Sequence, residues 1–240
     1  MNRSFCCKLT QALTLVLGVC MALPVTAQSQ DNLNVVRVSA EINHRIRFDN
    51  GKVRMYEVLL SKGKSTAFHE HAADSFAVTL NTTSRANEPK NGQRADASVK
   101  AGRVGFTSTA KGPYTHRIEA TGEVPFRVIA MEILSEGNLG TGITATKRSQ
   151  PFTVAVQENP RGRAYSLVLK PGESTGMFER PANTAIFAIA GGRTSEVIDG
   201  KAPRLWDSDT GSFRWADESH WLTIRNEGTS DIEFVEIEVF

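Results

Sequence analysis

Cysteine is almost missing from this 240-residue chain, and its three copies, Cys6, Cys7 and Cys20, all fall near the N-terminus. Beyond residue 20 there is no thiol, which excludes disulfides, zinc–thiolate sites and cysteine nucleophiles together. Acidic residues are absent before Asp31. Long hydrophobic runs are lacking too. The apolar stretch 9–25 is interrupted by Thr10, Gln11 and Pro24 and is short for a membrane-spanning helix. An excess of charge of one sign is the last absence. The 28 Lys plus Arg, less Arg3 and Lys8 of the leading segment, leave 26 against 26 Asp plus Glu. A balance near zero argues against nucleic-acid or anionic-membrane partners, which favour a basic surface.

The leading segment has the features of an export signal. Arg3 and Lys8 precede the apolar stretch, and Val25-Thr26-Ala27 gives the small-residue cleavage pattern. The expectation is a signal peptide over residues 1–27, cleaved after Ala27, and a periplasmic or secreted product with no remaining membrane span. Lipid attachment at Cys20 is disfavoured by Val19, which is larger than such a site accepts.

The rest of the chain repeats itself. Tyr56, Gly63 and Ser65-Thr66 match Tyr165, Gly172 and Ser174-Thr175 at an offset of 109 residues. The apolar run 76–80 matches 185–189 at the same offset. Nearer the end of each half, the pattern from Ile118 to Leu134 returns from Ile224 to Phe240 at an offset of 106, with Gly122 on Gly228. Ordered matches at nearly one offset predict two homologous modules, at 36–137 and 150–240, with linkers at 28–35 and 138–149. β-branched and aromatic runs with period-2 stretches, punctuated by Gly turns, predict strands throughout and no sustained helix. The polar stretch 81–100 is expected to be a long loop, its Arg85, Lys90, Arg94 and Lys100 forming a solvated surface.

Three of the five histidines form a pattern. Gly63, five residues, His69, Glu70, His71 places two imidazoles on one face of an extended segment, because side chains two apart in a strand point the same way. His116 follows a Gly112-Pro113 bend and has strand neighbours. Neutral imidazole is a good ligand for several transition metals, and three of them leave coordination positions open. The plainer alternative is a set of polar side chains at a barrel mouth. His44 lies outside the pattern and suits a surface or hydrogen-bonded role.

These residues resemble the cupin superfamily, whose first motif is Gly-x5-His-x-His-x3–4-Glu and whose second carries a later His. The resemblance implies an all-β fold of two tandem jelly-roll barrels, a bicupin. It implies His69, His71 and His116 as ligands of one divalent transition metal, iron first, with zinc, nickel, manganese or copper as alternatives. The chain departs from the motif where Glu is expected, since Ser75 stands there and Asp74 comes one place early. Asp74 is therefore a candidate fourth ligand, or an acceptor that orients an imidazole. Tyr114 shares the parity of His116 and is a candidate donor to a bound ligand.

The second module lacks the metal pattern. His69 falls on Phe178, His71 on Arg180 and His116 on Leu222, and His220 corresponds to Tyr114. Arg180 is a candidate carboxylate-binding residue, against the simpler role of a structural salt bridge. Two function classes stay open at this point. One is a three-His metal-dependent dioxygenase or lyase acting on a small molecule. The other is a non-catalytic binder of a small molecule or sugar. Open strand edges are compatible with a homodimer.

Overall fold

The computed structural model describes residues 34–137 and 147–240. The expected signal peptide, most of the first linker and residues 138–146 of the second lie outside them. Among the described residues, apart from one 3-10 turn at Val38–Ala40, every regular element is a strand.

The N-terminal part supplies ten strands. They are β1 (Val36–Arg37), β2 (His44–Asp49), β3 (Val53–Leu60), β4 (His69–His71) and β5 (Ser75–Thr79), then β6 (Thr83–Pro89), β7 (Ala95–Val99), β8 (Val104–Thr107), β9 (Tyr114–Ala120) and β10 (Phe126–Ile133). They form two five-stranded sheets in the orders β1-β4-β9-β6-β7 and β2-β3-β10-β5-β8. The C-terminal part supplies β11 (Phe152–Asn159), β12 (Gly162–Leu169), β13 (Phe178–Arg180), β14 (Thr184–Ala190) and β15 (Arg193–Ile198). After these come β16 (Arg204–Asp207), β17 (Phe213–Ala216), β18 (His220–Asn226) and β19 (Ile232–Val239). These give sheets β11-β12-β19-β14-β17 and β13-β18-β15-β16. The neighbour relations repeat from one pair of sheets to the next, and each pair is a jelly roll with crossovers between its sheets.

Strand alternation divides the side chains between two cores. On β3, Val58 and Leu60 face the interior of the first barrel, joined there by Val128 of β10. Val53 and Met55 of the same strand face outward, with Phe76 and Val78 of β5 and Ile129 and Met131 of β10. They meet Ala164, Phe187, Val235 and Ile237 from the outer face of the second barrel's larger sheet, and this joint cluster is the largest buried one. The second barrel's own interior packs Tyr165, Leu167 and Phe234 against Leu222 and Ile224. The two barrels thus stand back to back across an apolar interface, the arrangement expected when both faces of a sheet are buried.

The repeated Gly-x-Ser-Thr segments have a shared structural job. Gly63 and Gly172 each turn the chain at positive φ, 74° and 77°, a region in which glycine has no Cβ penalty. Thr66 Oγ1 then accepts a hydrogen bond from the Ile118 amide, and Thr175 Oγ1 accepts one from the Ile224 amide. These bonds fix the approach to β4 and β13 against the neighbouring strand in each module.

The stretch 81–100 is not a loop. Most of it is the β6–β7 hairpin, paired from Thr83 opposite Val99 to Asn87 opposite Ala95. Its polarity misled because pairing is carried by the backbone. β7 is an edge strand with a mostly exposed side-chain row, so nothing requires apolar residues there.

Candidate metal centre

His69 and His71 stand on β4, and His116 stands on the adjacent antiparallel strand β9. The register sets His69 opposite His116 and His71 opposite Tyr114. Directly opposed side chains in a ladder leave on the same face, so all four point into the first barrel. One ring nitrogen from each histidine lies within 4.8 Å of the others. His71 Nε2 is 3.1 Å from His116 Nε2.

Two of the three rings are held by their far nitrogens. His69 Nδ1 donates to the Ala67 carbonyl at 3.0 Å. His116 Nδ1 donates to Asn87 Oδ1 at 2.6 Å, and Asn87 Nδ2 donates in turn to Tyr114 Oη at 3.0 Å. With Nδ1 carrying the proton, Nε2 presents a lone pair to the cavity, the tautomer a metal ligand needs. His71 Nδ1 is buried without a partner among the described residues.

Protonation is held off all three. Burial lowers His69 to about 4, with the charge of His44 adding to it. Burial and then the neighbouring His69 lower His71 to about 3. Burial, His69 and His71 lower His116 to about 2. Each ring is therefore neutral at neutral pH, because a charged imidazole in this enclosure would lose its hydration and face like charges.

A buried Glu–His pair that the sequence did not reveal supports the cluster from behind. Glu41 Oε2 accepts from His44 Nδ1 at 2.8 Å, and Glu41 Oε1 accepts from the Ala67 amide at 3.1 Å. Glu41 thereby grips the same residue whose carbonyl orients His69. Burial would raise the Glu41 carboxyl, but the hydrogen bonds from His44, Ala67 and Asn43 outweigh it and hold it at about 2. The His44 ring sits 4.6 Å from that of His69, centroid to centroid. His44 is thus a buried hydrogen-bonded residue and not a surface one. Neither Glu41 nor Asn87 carries a sequence signal, since their partners are distant in the chain.

The other expected site residues separate. Tyr114 lines the cavity, its ring 4.7 Å from that of His116. Asp74 is outside the histidine cluster. Its Oδ1 accepts from the Thr109 amide at 2.6 Å, and its Oδ2 lies 3.4 Å from Arg161 of the second module. The parity of Asp74 opposes that of Ser75, which does line the cavity. Arg180 meets carboxylates of its own chain, binding Glu236 through two nitrogens at 3.1 and 2.7 Å and Glu196 at 2.8 Å.

The cavity beside the histidines has a volume of about 270 Å³, near the lower end of small-molecule sites. It is open because β5 turns Ser75, Ala77 and Thr79 inward and β8 contributes Gly105. The second barrel fills the same space. Ladder position equates Gly105 with Arg214 and Ala130 with Glu236, and the pairing of Phe178 with Leu222 repeats that of His69 with His116. Arg148, from the segment expected to be a linker, inserts into that interior. It bridges Glu236 at 2.7 Å and Glu238 at 2.9 Å and packs over the rings of Phe152, Tyr165 and Phe178.

No protein-family model matches the chain, and no curated protein matches it. Solved structures do. The structure of AerE from Microcystis aeruginosa matches with a TM-score of 0.59 at 11% identity, over 81% of this chain and 90% of that one. Bacillus subtilis oxalate decarboxylase, described with Mn(II) centres, matches at 0.51 and 12% identity, over 78% and 68% of the two chains. A single-residue mutant of salicylate 1,2-dioxygenase from Pseudoaminobacter salicylatoxidans matches at 0.52 and 12% identity, over 78% and 72%. At such low identity the likeness is one of fold: this chain shares with these structures an all-β architecture, here built as two tandem jelly-roll modules.

Proposed function

We propose that this protein is an exported, metal-dependent cupin enzyme whose first module holds one divalent transition metal on His69, His71 and His116. The observation that carries the proposal is the convergence of three neutral imidazoles on one cavity wall. The donor set fits a metal. Two metal–nitrogen bonds of about 2.1 Å, set between a right angle and a tetrahedral one, separate their nitrogens by about 3.0–3.4 Å. The His71–His116 separation of 3.1 Å falls within that span. Three nitrogens with no thiolate suit iron, zinc, nickel or copper, and suit manganese less because it favours oxygen donors.

When bound, such a metal would polarise a small chelating substrate or support its oxygenation or cleavage. The chain's own residues do the rest. Ala67 and Asn87 keep His69 and His116 in the ligating tautomer. Asn87 donates to the Tyr114 oxygen, which leaves the Tyr114 hydroxyl proton free to be given to a ligand. The apolar wall formed by Val58, Phe126 and Val128 excludes water from one side of the cavity. Export is supported by the basic start, the interrupted apolar stretch and the Val25-Thr26-Ala27 ending. No helix among the described residues is long and apolar enough to cross a membrane.

The test is elemental analysis after reconstitution with Fe(II), Zn(II) or Mn(II) and removal of loose metal. The parent should retain close to one metal per chain and His71→Ala almost none, with Trp221→Phe, an exposed change, as control. A parent that stays metal-free while still binding small molecules would replace the enzyme with a non-catalytic binding protein.

A further inference from the structure

The second barrel shows how this fold handles interior arginines. Arg180 is paired with Glu196 and Glu236, Arg214 with Glu196, and Arg148 with Glu236 and Glu238. Asn87 pairs with Ile118 as Glu196 pairs with Ile224. The first barrel therefore has neutral Asn87 and Ala130 at the positions of Glu196 and Glu236. Yet two arginines line its cavity, Arg85 from β6 and Arg103 just before β8.

Among the described residues neither of these guanidinium groups has an ion pair. Burial, and then the charge of Arg103, lower the Arg85 pKa below its ordinary value. A partly desolvated cation beside a second cation, with no carboxylate to offset it, is a costly arrangement for the protein alone. The charge of Arg85 is also felt at His116, so the cationic end of the cavity adjoins the histidines. The wall at Val58, Phe126 and Val128 is apolar, which suits an organic body and would be left bare by an inorganic anion.

We propose that Arg85 and Arg103 anchor the carboxylate of a small organic acid whose body lies along the apolar wall and whose remaining functional group faces His69, His71 and His116. Guanidinium groups match a carboxylate in shape and charge, and the ligand supplies the anion that Glu196 and Glu236 supply in the other barrel. The inference rests on the reading of this cavity as the active site, but the anchor does not need the metal.

The test is calorimetric titration of the purified protein, metal-free and metal-loaded, with benzoate and hexanoate, each against its neutral amide, and with inorganic phosphate. At least one acid should bind about 10- to 100-fold more tightly than its amide, the range for hydrogen bonds to charged groups. Arg85→Met and Arg103→Met should each remove most of that preference. Arg85→Lys should restore part of it, and metal content should be unchanged in all three. Arg103 is exposed, so its variant reports even if the Arg85 variants fold poorly. Equal binding of acid and amide, no binding of either acid below about 10 mM, tighter binding of phosphate than of both acids, or variants that keep the acid preference would each overturn the proposal. Arginine-dependent acid binding without metal uptake would sink the metal reading alone. Metal uptake without acid preference would sink this one alone.

Discussion

His69 and His116 face each other directly across the β4–β9 ladder. Phe178 and Leu222 face each other at the same place across β13 and β18. One backbone register therefore sets two imidazoles on the cavity wall of the first barrel and an apolar contact in the second. The modules diverge in what fills the barrel while keeping the frame that aims it.

Asn87 should act on the metal through His116. Its Oδ1 is the acceptor that fixes the ring, at 2.6 Å. Asn87→Ala is expected to weaken metal binding about 10- to 100-fold, the usual cost of losing such a partner. Asn87→Asp, which keeps an acceptor, should retain most of the affinity. Competition with a chelator of known affinity measures both.

Arg180 should matter to folding and not to metal binding. Its two carboxylate partners are buried with it. Arg180→Ala leaves Glu196 and Glu236 without that cation and is expected to cost about 3–5 kcal/mol. Urea unfolding followed by tryptophan fluorescence reads this. The folded fraction should still take up metal through His69, His71 and His116.

Acid should weaken the metal-free protein in two stages. The folded-state pKa values of His69, His71 and His116, about 4, 3 and 2, lie below the usual 6.5. Below pH 6.5 the unfolded chain binds protons that the folded one refuses, so stability falls as pH falls, down to those folded values. Glu41 and Glu236 are each held at about 2 against an ordinary 4.5. For Glu236, burial opposes ionisation and the charges of Arg148 and Arg180 outweigh it. The carboxylate contribution is full above pH 4.5 and is lost as pH falls towards 2. Melting temperature against pH should decline from near 6.5 and more steeply below 4.5, and His116→Gln should lessen the slope from 6.5 downward while leaving the added steepening below 4.5.

Phe76 should couple the two modules. It belongs to the first barrel by sequence and is fully buried in the joint cluster with Phe187, Val235 and Ile237. Phe76→Ala is expected to cost about 3–5 kcal/mol. All three tryptophans, Trp206, Trp215 and Trp221, lie in the second half. Their fluorescence should nonetheless report the full loss, in one transition coincident with circular dichroism. Two separated transitions would show that the interface does not bind the barrels into one unfolding unit.

The repeat, the strand-rich fold and the three histidines were legible because each leaves a local or periodic trace. Gly63 and Gly172 mark turns that need positive φ, and Thr66 and Thr175 mark the same backbone anchor. His69 and His71 share a face by alternation alone. The loss of the motif in the second half could likewise be read from Phe178, Arg180 and Leu222 on the matched positions.

Chain folding settled what no periodicity encodes. Asn87, in a stretch polar enough to suggest a loop, became a strand residue beneath His116 because backbone pairing of β6 does not depend on hydrophobic side chains. Glu41 came to the cluster through a contact with Ala67, 26 residues away. Asp74 went to Arg161 and away from the histidines because neighbouring strand positions face opposite ways. The sequence by itself determined the elements, the repeat and which residue types stand at the ladder positions, since these follow from side-chain alternation and turn chemistry. Only the tertiary structure decided which charges meet. Glu196 and Glu236 neutralise the arginines of one barrel and leave Arg85 and Arg103 unpaired in the other, because ion pairing acts between residues brought close by folding, whatever their separation along the chain.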